Sequence, residues 1–159
     1  MNRVRCAVIG AGWWGTTAHL PALIRHPRAE LVAVQHHDAD TARRIATDFG
    51  APYACTTVDE VLDAAPLDAV IISSIPVLHY SQTLAALKRG CHVLVEKPVT
   101  VRSAEAAELN DLAEREHRIL MLGATWHYTP HCVAARSCVQ SGRLGRLRMI
   151  SILMTNVTQ

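Results

Sequence analysis

Six short apolar runs, separated by longer amphipathic stretches, predict a doubly wound α/β fold built on a parallel sheet. The runs are continuous rather than alternating, as Cys6-Ala7-Val8-Ile9 and Ala69-Val70-Ile71-Ile72 show. Continuous apolarity belongs to strands covered on both faces. A glycine-rich turn, Gly10-Ala11-Gly12-Trp13-Trp14-Gly15, stands directly behind the first run, where a strand would bend sharply into a helix.

Each element follows from its own signals. Val4–Ile9 is the first predicted strand and Trp13–Arg25 the first helix. Leu31–Gln35 is a second strand, rich in valine, leading into His36-His37-Asp38. Asp38 is expected to cap the helix Ala39–Phe49, which Gly50 closes. A weak strand at Tyr53–Cys55 precedes a short helix opened by Thr57, and Thr57 with Glu60 has the spacing of a capping box. Asp68–Ser73 is a buried strand. Pro76 then starts the helix Val77–Arg89, which Gly90 ends. His92–Val95, the charged-faced helix Arg102–Glu116 and the strand Ile119–Leu122 complete the alternation.

The pattern changes after Gly123. Thr129-Pro130 reads as a helix start, Ser141-Gly142 as its stop, and Arg146–Thr155 as one long β-prone run. A strand there has no local partner, and an unpaired edge is an aggregation hazard. The expected division is therefore a first domain over residues 1–125 and the opening helix and strand of a second, incomplete α+β domain over residues 126–159. The alternative is an extra strand on the first sheet.

Bulk composition narrows the class. In 159 residues, half are hydrophobic and 19% charged, which suits a soluble domain able to bury a core. A formal charge of +2 with no long basic run argues against nucleic acid, and no apolar stretch approaches a membrane span. Five widely spaced cysteines, without a C-x-x-C, are expected as reduced thiols of a cytoplasmic protein.

The glycine turn carries the chemistry. Gly10 would permit the tight bend, Gly12 would let backbone approach a pyrophosphate, and Gly15 would let helix and sheet pack closely. The N–H groups and positive dipole end of the following helix would face the phosphates. Trp13 and Trp14 fill the variable positions, one expected in packing and the other on the wall of the cofactor cleft.

The ordered set Gly10-Ala11-Gly12-Trp13-Trp14-Gly15, Ala18-His19-Leu20-Pro21-Ala22-Leu23, Ile72-Ser73-Ser74-Ile75-Pro76 with His79, and Gly90-Cys91-His92-Val93-Leu94-Val95-Glu96-Lys97-Pro98 resembles the glucose–fructose oxidoreductase/inositol dehydrogenase (Gfo/Idh/MocA) family. The resemblance runs from Val4 to Met154. It implies an NAD- or NADP-dependent oxidoreductase acting on a small polyhydroxylated substrate such as a sugar, cyclitol or polyol. It also implies a C-terminal sheet domain that forms homo-oligomers at full length. By the same resemblance Lys97 reaches the nicotinamide ribose and the reacting hydroxyl, and Ser73, Pro76 and Glu96 form the nicotinamide-side wall. His79 either contacts nicotinamide or substrate, or bonds neighbouring backbone. His127 and Tyr128 are candidates for the substrate cleft.

Two departures from the family pattern matter. His36-His37 stands where a carboxylate often takes the adenosine ribose, so His36, His37, Arg43 or Arg44 could attract a 2′-phosphate, and the balance leans to NADP. The usual histidine and aspartate for acid–base work have no match in this sequence. A non-catalytic dinucleotide-binding module, or a truncated product lacking the substrate domain, is therefore the rival reading. No metal is expected: His36-His37 lacks a third ligand, and His127, His131 and Cys132 lack a fourth.

Overall fold

The computed structural model describes residues 3–153. Six strands, β1 (Val4–Ile9), β2 (Ala29–Gln35), β3 (Tyr53–Cys55), β4 (Ala69–Ile72), β5 (His92–Val95) and β6 (Leu120–Leu122), form one sheet in the order β3-β2-β1-β4-β5-β6. Every pairing is parallel. Chain direction across the sheet reverses at β1, so the crevice between the carboxyl ends of β1 and β4 is the topological switch point.

The crossovers are α1 (Leu20–Arg25), α2 (Ala39–Phe49), α3 (Val58–Ala64), α4 (Pro76–Lys88) and α5 (Ser103–Arg115). Their ends follow the predicted caps. Asp38 accepts from the Thr41 N–H, and Thr57 with Glu60 makes both bonds of the capping box. Gly50 and Gly90 take positive φ at the helix ends they close.

The strands separate two cores because successive side chains point to opposite faces. Ile9, Val70, Ile72, Leu87, Val93 and Leu109 fill one side. Val8, Leu20, Val34, Ile45 and Ile71 fill the other. Fully burying an aliphatic side chain of this size contributes about 2 kcal/mol, so these paired cores hold the sheet edge that carries the site.

Two local features differ from expectation. The first predicted helix is not uniformly α-helical: Gly15–His19 forms a π-turn, closed by the Leu20 N–H bonding the Gly15 carbonyl five residues back. The predicted strand Arg146–Thr155 does not form over residues 146–153, and residues 154 and 155 lie outside the described residues. Met149, Ile150, Ile152 and Leu153 are exposed there, and β-prone residues without a neighbouring strand have no ladder to join.

The chain divides into two compact units between Gly123 and Ala124. Within the second, a 3-10 turn, Thr125–Tyr128, precedes α6 (Pro130–Gln140), which starts at the predicted Thr129-Pro130. All five cysteines are free, and Cys6, Cys55 and Cys91 are buried. Burial, with Asp68 nearby, pushes the Cys6 thiol up to about 11. No helix among the described residues is long and apolar enough to cross a membrane.

Candidate cofactor site

The turn after β1 uses its three glycines for three different physical reasons. Gly10 has φ of +75°, and a Cβ there would lie 2.5 Å from Ser74 backbone. The loops leaving β1 and β4 are thus in contact where Gly10 has no side chain. Gly12 has no atom within 4 Å of where its Cβ would sit, so the surface above it is open to a ligand. Gly15 is buried, with its missing Cβ 3.2 Å from the Gly10 carbonyl and 3.7 Å from Val8. Bare backbone facing open space at a helix start fits a pyrophosphate.

Gln35, the last residue of β2, braces this turn. Its Oε1 accepts from the Gly10 N–H at 2.9 Å, its Nε2 donates to the Thr56 carbonyl at 2.8 Å, and its own carbonyl accepts from the Ala11 N–H. The sequence reading missed Gln35. Its signal was present, as an uncharged polar residue closing an otherwise apolar parallel strand.

A groove of about 310 Å³ runs from the turn along α2. Gly12, Trp13, Thr16, His36, Thr41 and Arg44 are among its lining residues. Trp13 is 76% exposed and forms a wall. His36 faces the groove, while His37 stacks on it with ring centroids 4.3 Å apart and does not line it. Asp38 is committed to its helix cap, and the Thr41 hydrogen bonds hold its carboxyl below the usual aspartate range. Arg43 pairs with Asp40, which leaves Arg44 as the arginine on the groove.

Along the same carboxyl edge, β5 ends in Glu96-Lys97-Pro98, with a cis peptide bond between Lys97 and Pro98. Lys97 is exposed and makes no ion pair among the described residues. Glu96 departs from its expected place on the nicotinamide-side wall. It is buried, and its carboxylate accepts from Trp14 Nε1 at 2.8 Å, from His19 Nε2 at 3.0 Å and from the Lys97 N–H at 3.2 Å. A buried carboxylate is tolerated when donors surround it, and here two of the three come from the first helix. Trp14 is accordingly anchored by its indole N–H, and it is Trp13 that walls the groove.

His79 also stands inward, with none of its surface exposed. Its Nδ1 lies 2.7 Å from the Pro98 carbonyl and its Nε2 3.1 Å from the Ser74 carbonyl. Of the two expectations for this residue, backbone bonding is the one the geometry carries, because no face remains for a ligand. The ring bolts the loop after β4 to the loop after β5. The Ser73 hydroxyl is enclosed and has no hydrogen-bond partner, whereas Pro76 is exposed at the start of α4.

In the second unit, His127 and Tyr128 are exposed neighbours with ring centroids 4.9 Å apart. Arg136 donates to His127 Nδ1 at 3.0 Å and to the His127 carbonyl at 2.8 Å.

Known proteins are similar to this chain in sequence and in fold. A dTDP-3,4-didehydro-2,6-dideoxy-alpha-D-glucose 3-reductase from Streptomyces violaceoruber is 35% identical over 157 residues, covering 98% of this chain and 45% of that protein. A 1,5-anhydro-D-fructose reductase from Ensifer adhaerens is 34% identical over 125 residues, covering 77% of this chain and 37% of that one. A 3-ketoreductase from Actinomadura kijaniata, solved in complex with TDP-benzene and NADP, superimposes with a TM-score of 0.81 at 29% identity, covering 89% of this chain and 44% of its own. The chain spans less than half the length of these relatives. The model of the oxidoreductase family with an NAD-binding Rossmann fold matches residues 4–124, the stretch that carries the glycine turn, the groove and Lys97. On that match, which spans most of the chain, the chain belongs to this oxidoreductase family.

Proposed function

We propose that the chain is the cofactor-binding part of an NAD(P)-dependent dehydrogenase or reductase acting on a sugar-, cyclitol- or polyol-like alcohol or ketone. The observation that carries this reading is the pairing on one sheet edge of a bare glycine turn, open above Gly12, with the exposed Lys97, unpaired among the described residues, two strands away. Gly10, Gly12 and Gly15 would hold the pyrophosphate, and the groove beside His36 would take the adenosine half. When bound, the nicotinamide supplies the hydride donor or acceptor. The Lys97 ammonium would stabilise the negative charge that grows on the substrate oxygen, as a fixed charge that needs no reorganisation. Burial of Glu96 and His79 keeps the loop carrying Lys97 in place.

His127 and Tyr128, the latter with a phenol suited to hydrogen-bond a sugar hydroxyl, are proposed for the substrate side, within a second domain that begins after residue 125. Free cysteines support a cytoplasmic location, and a homo-oligomer at full length accords with the family resemblance. The groove favours NADP, since Arg44 is available to a 2′-phosphate and no carboxylate stands at position 36.

Calorimetric titration with NADPH and NADH tests the reading. NADPH should bind more tightly, and His36→Asp should move the preference toward NADH by about tenfold, or 1.4 kcal/mol. Binding of neither nucleotide at millimolar concentration would overturn the proposal. An unchanged preference in His36→Asp would refute the place given to His36.

A further inference from the structure

We infer that Trp14, His19 and Glu96 form a positioning triad, made possible by the π-turn, that holds Lys97 in register with the glycine turn. The inference rests on the NAD(P) reading for its purpose, though its geometry stands independently. Trp14 and His19 are five residues apart. On a regular α-helix they would point about 140° from one another, and only one could reach a given acceptor. The π-turn over Gly15–His19 widens that turn by one residue, as the Leu20-to-Gly15 bond records. Both side chains then fall on the same carboxylate oxygen, Glu96 Oε1, at 2.8 and 3.0 Å. Their rings meet edge to face, with centroids 6.5 Å apart at 89°.

The second carboxylate oxygen of Glu96 faces the Lys97 N–H at 3.2 Å. One buried group therefore ties the helix whose start receives the phosphates to the backbone that carries the candidate catalytic lysine. Space around Glu96 is closed as well. A Cβ on Gly123 would lie 2.9 Å from Glu96 Oε1, so that residue must remain bare for the carboxylate to keep its place. Neither Trp14 nor His19 lines the adenosine groove, so their polar atoms are accounted for by Glu96 and not by the cofactor's adenosine half. Single-turn π-helices recur at functional sites, and this one has an identifiable task.

The test uses the 159-residue chain labelled with ¹⁵N, comparing Trp14→Phe, His19→Asn and His19→Gln, each also titrated with NADPH. Phenylalanine keeps the ring and loses the N–H. Glutamine places an N–H where His19 Nε2 was, whereas asparagine is one methylene too short. The Lys97 backbone amide resonance should move in Trp14→Phe and His19→Asn and return in His19→Gln. NADPH affinity should fall about tenfold in the first two, as for loss of one hydrogen bond to a charged group, and recover in the third. A Lys97 amide unmoved by Trp14→Phe and His19→Asn overturns the triad, and so does a glutamine variant as impaired as the asparagine one. Movement of that amide with unchanged NADPH affinity overturns its role in binding. If the unaltered chain binds no nicotinamide nucleotide, the proposed function fails, and the Lys97 resonance still decides the triad.

Discussion

Gly10 and Gly12 stand two residues apart and are bare for different causes, which alanine substitution separates. Gly10→Ala combines a left-handed backbone with a 2.5 Å approach to Ser74, so it should cost about 3 kcal/mol in urea unfolding. Gly12→Ala meets nothing within 4 Å and should change stability by less than about 0.5 kcal/mol while weakening nucleotide binding. Cysteine chemistry divides similarly. Burial raises the thiols of Cys6, Cys55 and Cys91, so a native-state thiol titration should label Cys132 and Cys138 first, and the buried three only as the protein unfolds. At this scale the glycines were legible because their spacing alone states the requirement. Gln35, His19 and Glu96 were not assigned their partners, because which acceptor faces which donor depends on segments brought together from far apart in the chain, 82 residues for Trp14 with Glu96 and 77 for His19 with Glu96.

Helix caps and loop bolts belong to the level of elements. Hydrogen bonds from Thr41 hold Asp38 below its ordinary 3.8, and those from Thr56 and Thr57 hold Glu60 below 4.5. A lowered folded-state value makes each contribution complete above about pH 5 and lost progressively as pH falls through the folded value. Acid titration of stability should therefore show a decline as pH falls below about 5, reduced in Thr56→Ala, which removes a hydroxyl donor to Glu60, whereas Thr57→Ala, which removes the acceptor of the Glu60 N–H, should cost about 1 kcal/mol at neutral pH. His79 is the bolt between the loops after β4 and β5. His79→Leu leaves the Pro98 carbonyl, 2.7 Å from Nδ1, without its ring N–H and should cost about 2 kcal/mol, whereas His79→Asn, which retains an N–H at the Nδ1 position, should keep the bond to Pro98 and most of that stability. Strand and helix identities were readable from the chain because β-runs, prolines and capping residues are local signals. The run after Arg146 shows where such signals stop: its residues favour a strand, yet pairing is a property of the neighbour and not of the run.

For the molecule as a whole, the sheet order places the glycine turn and Lys97 on one carboxyl edge without any contact between their side chains having been specified in advance. Right-handed crossovers leave few other arrangements, which is why the architecture was legible from an alternation of patterns. Ligand binding should then stabilise the fold by mass action. NADPH at one hundred times its dissociation constant should add about 2.7 kcal/mol and raise Tm by about 8 °C in calorimetry, with a smaller rise for NADH at equal concentration.

Trp13 and Trp14 sit with ring centroids 5.6 Å apart and planes tilted by 40°, one lining the groove and the other fixed by its indole N–H. Two indoles that close couple their electronic transitions, so the pair should give an exciton couplet in ultraviolet circular dichroism. Because Trp14 is held by Glu96 while Trp13 stands 76% exposed on the groove, the sign and amplitude of that couplet should change when a nucleotide meets Trp13, and the protein carries its own optical gauge of occupancy.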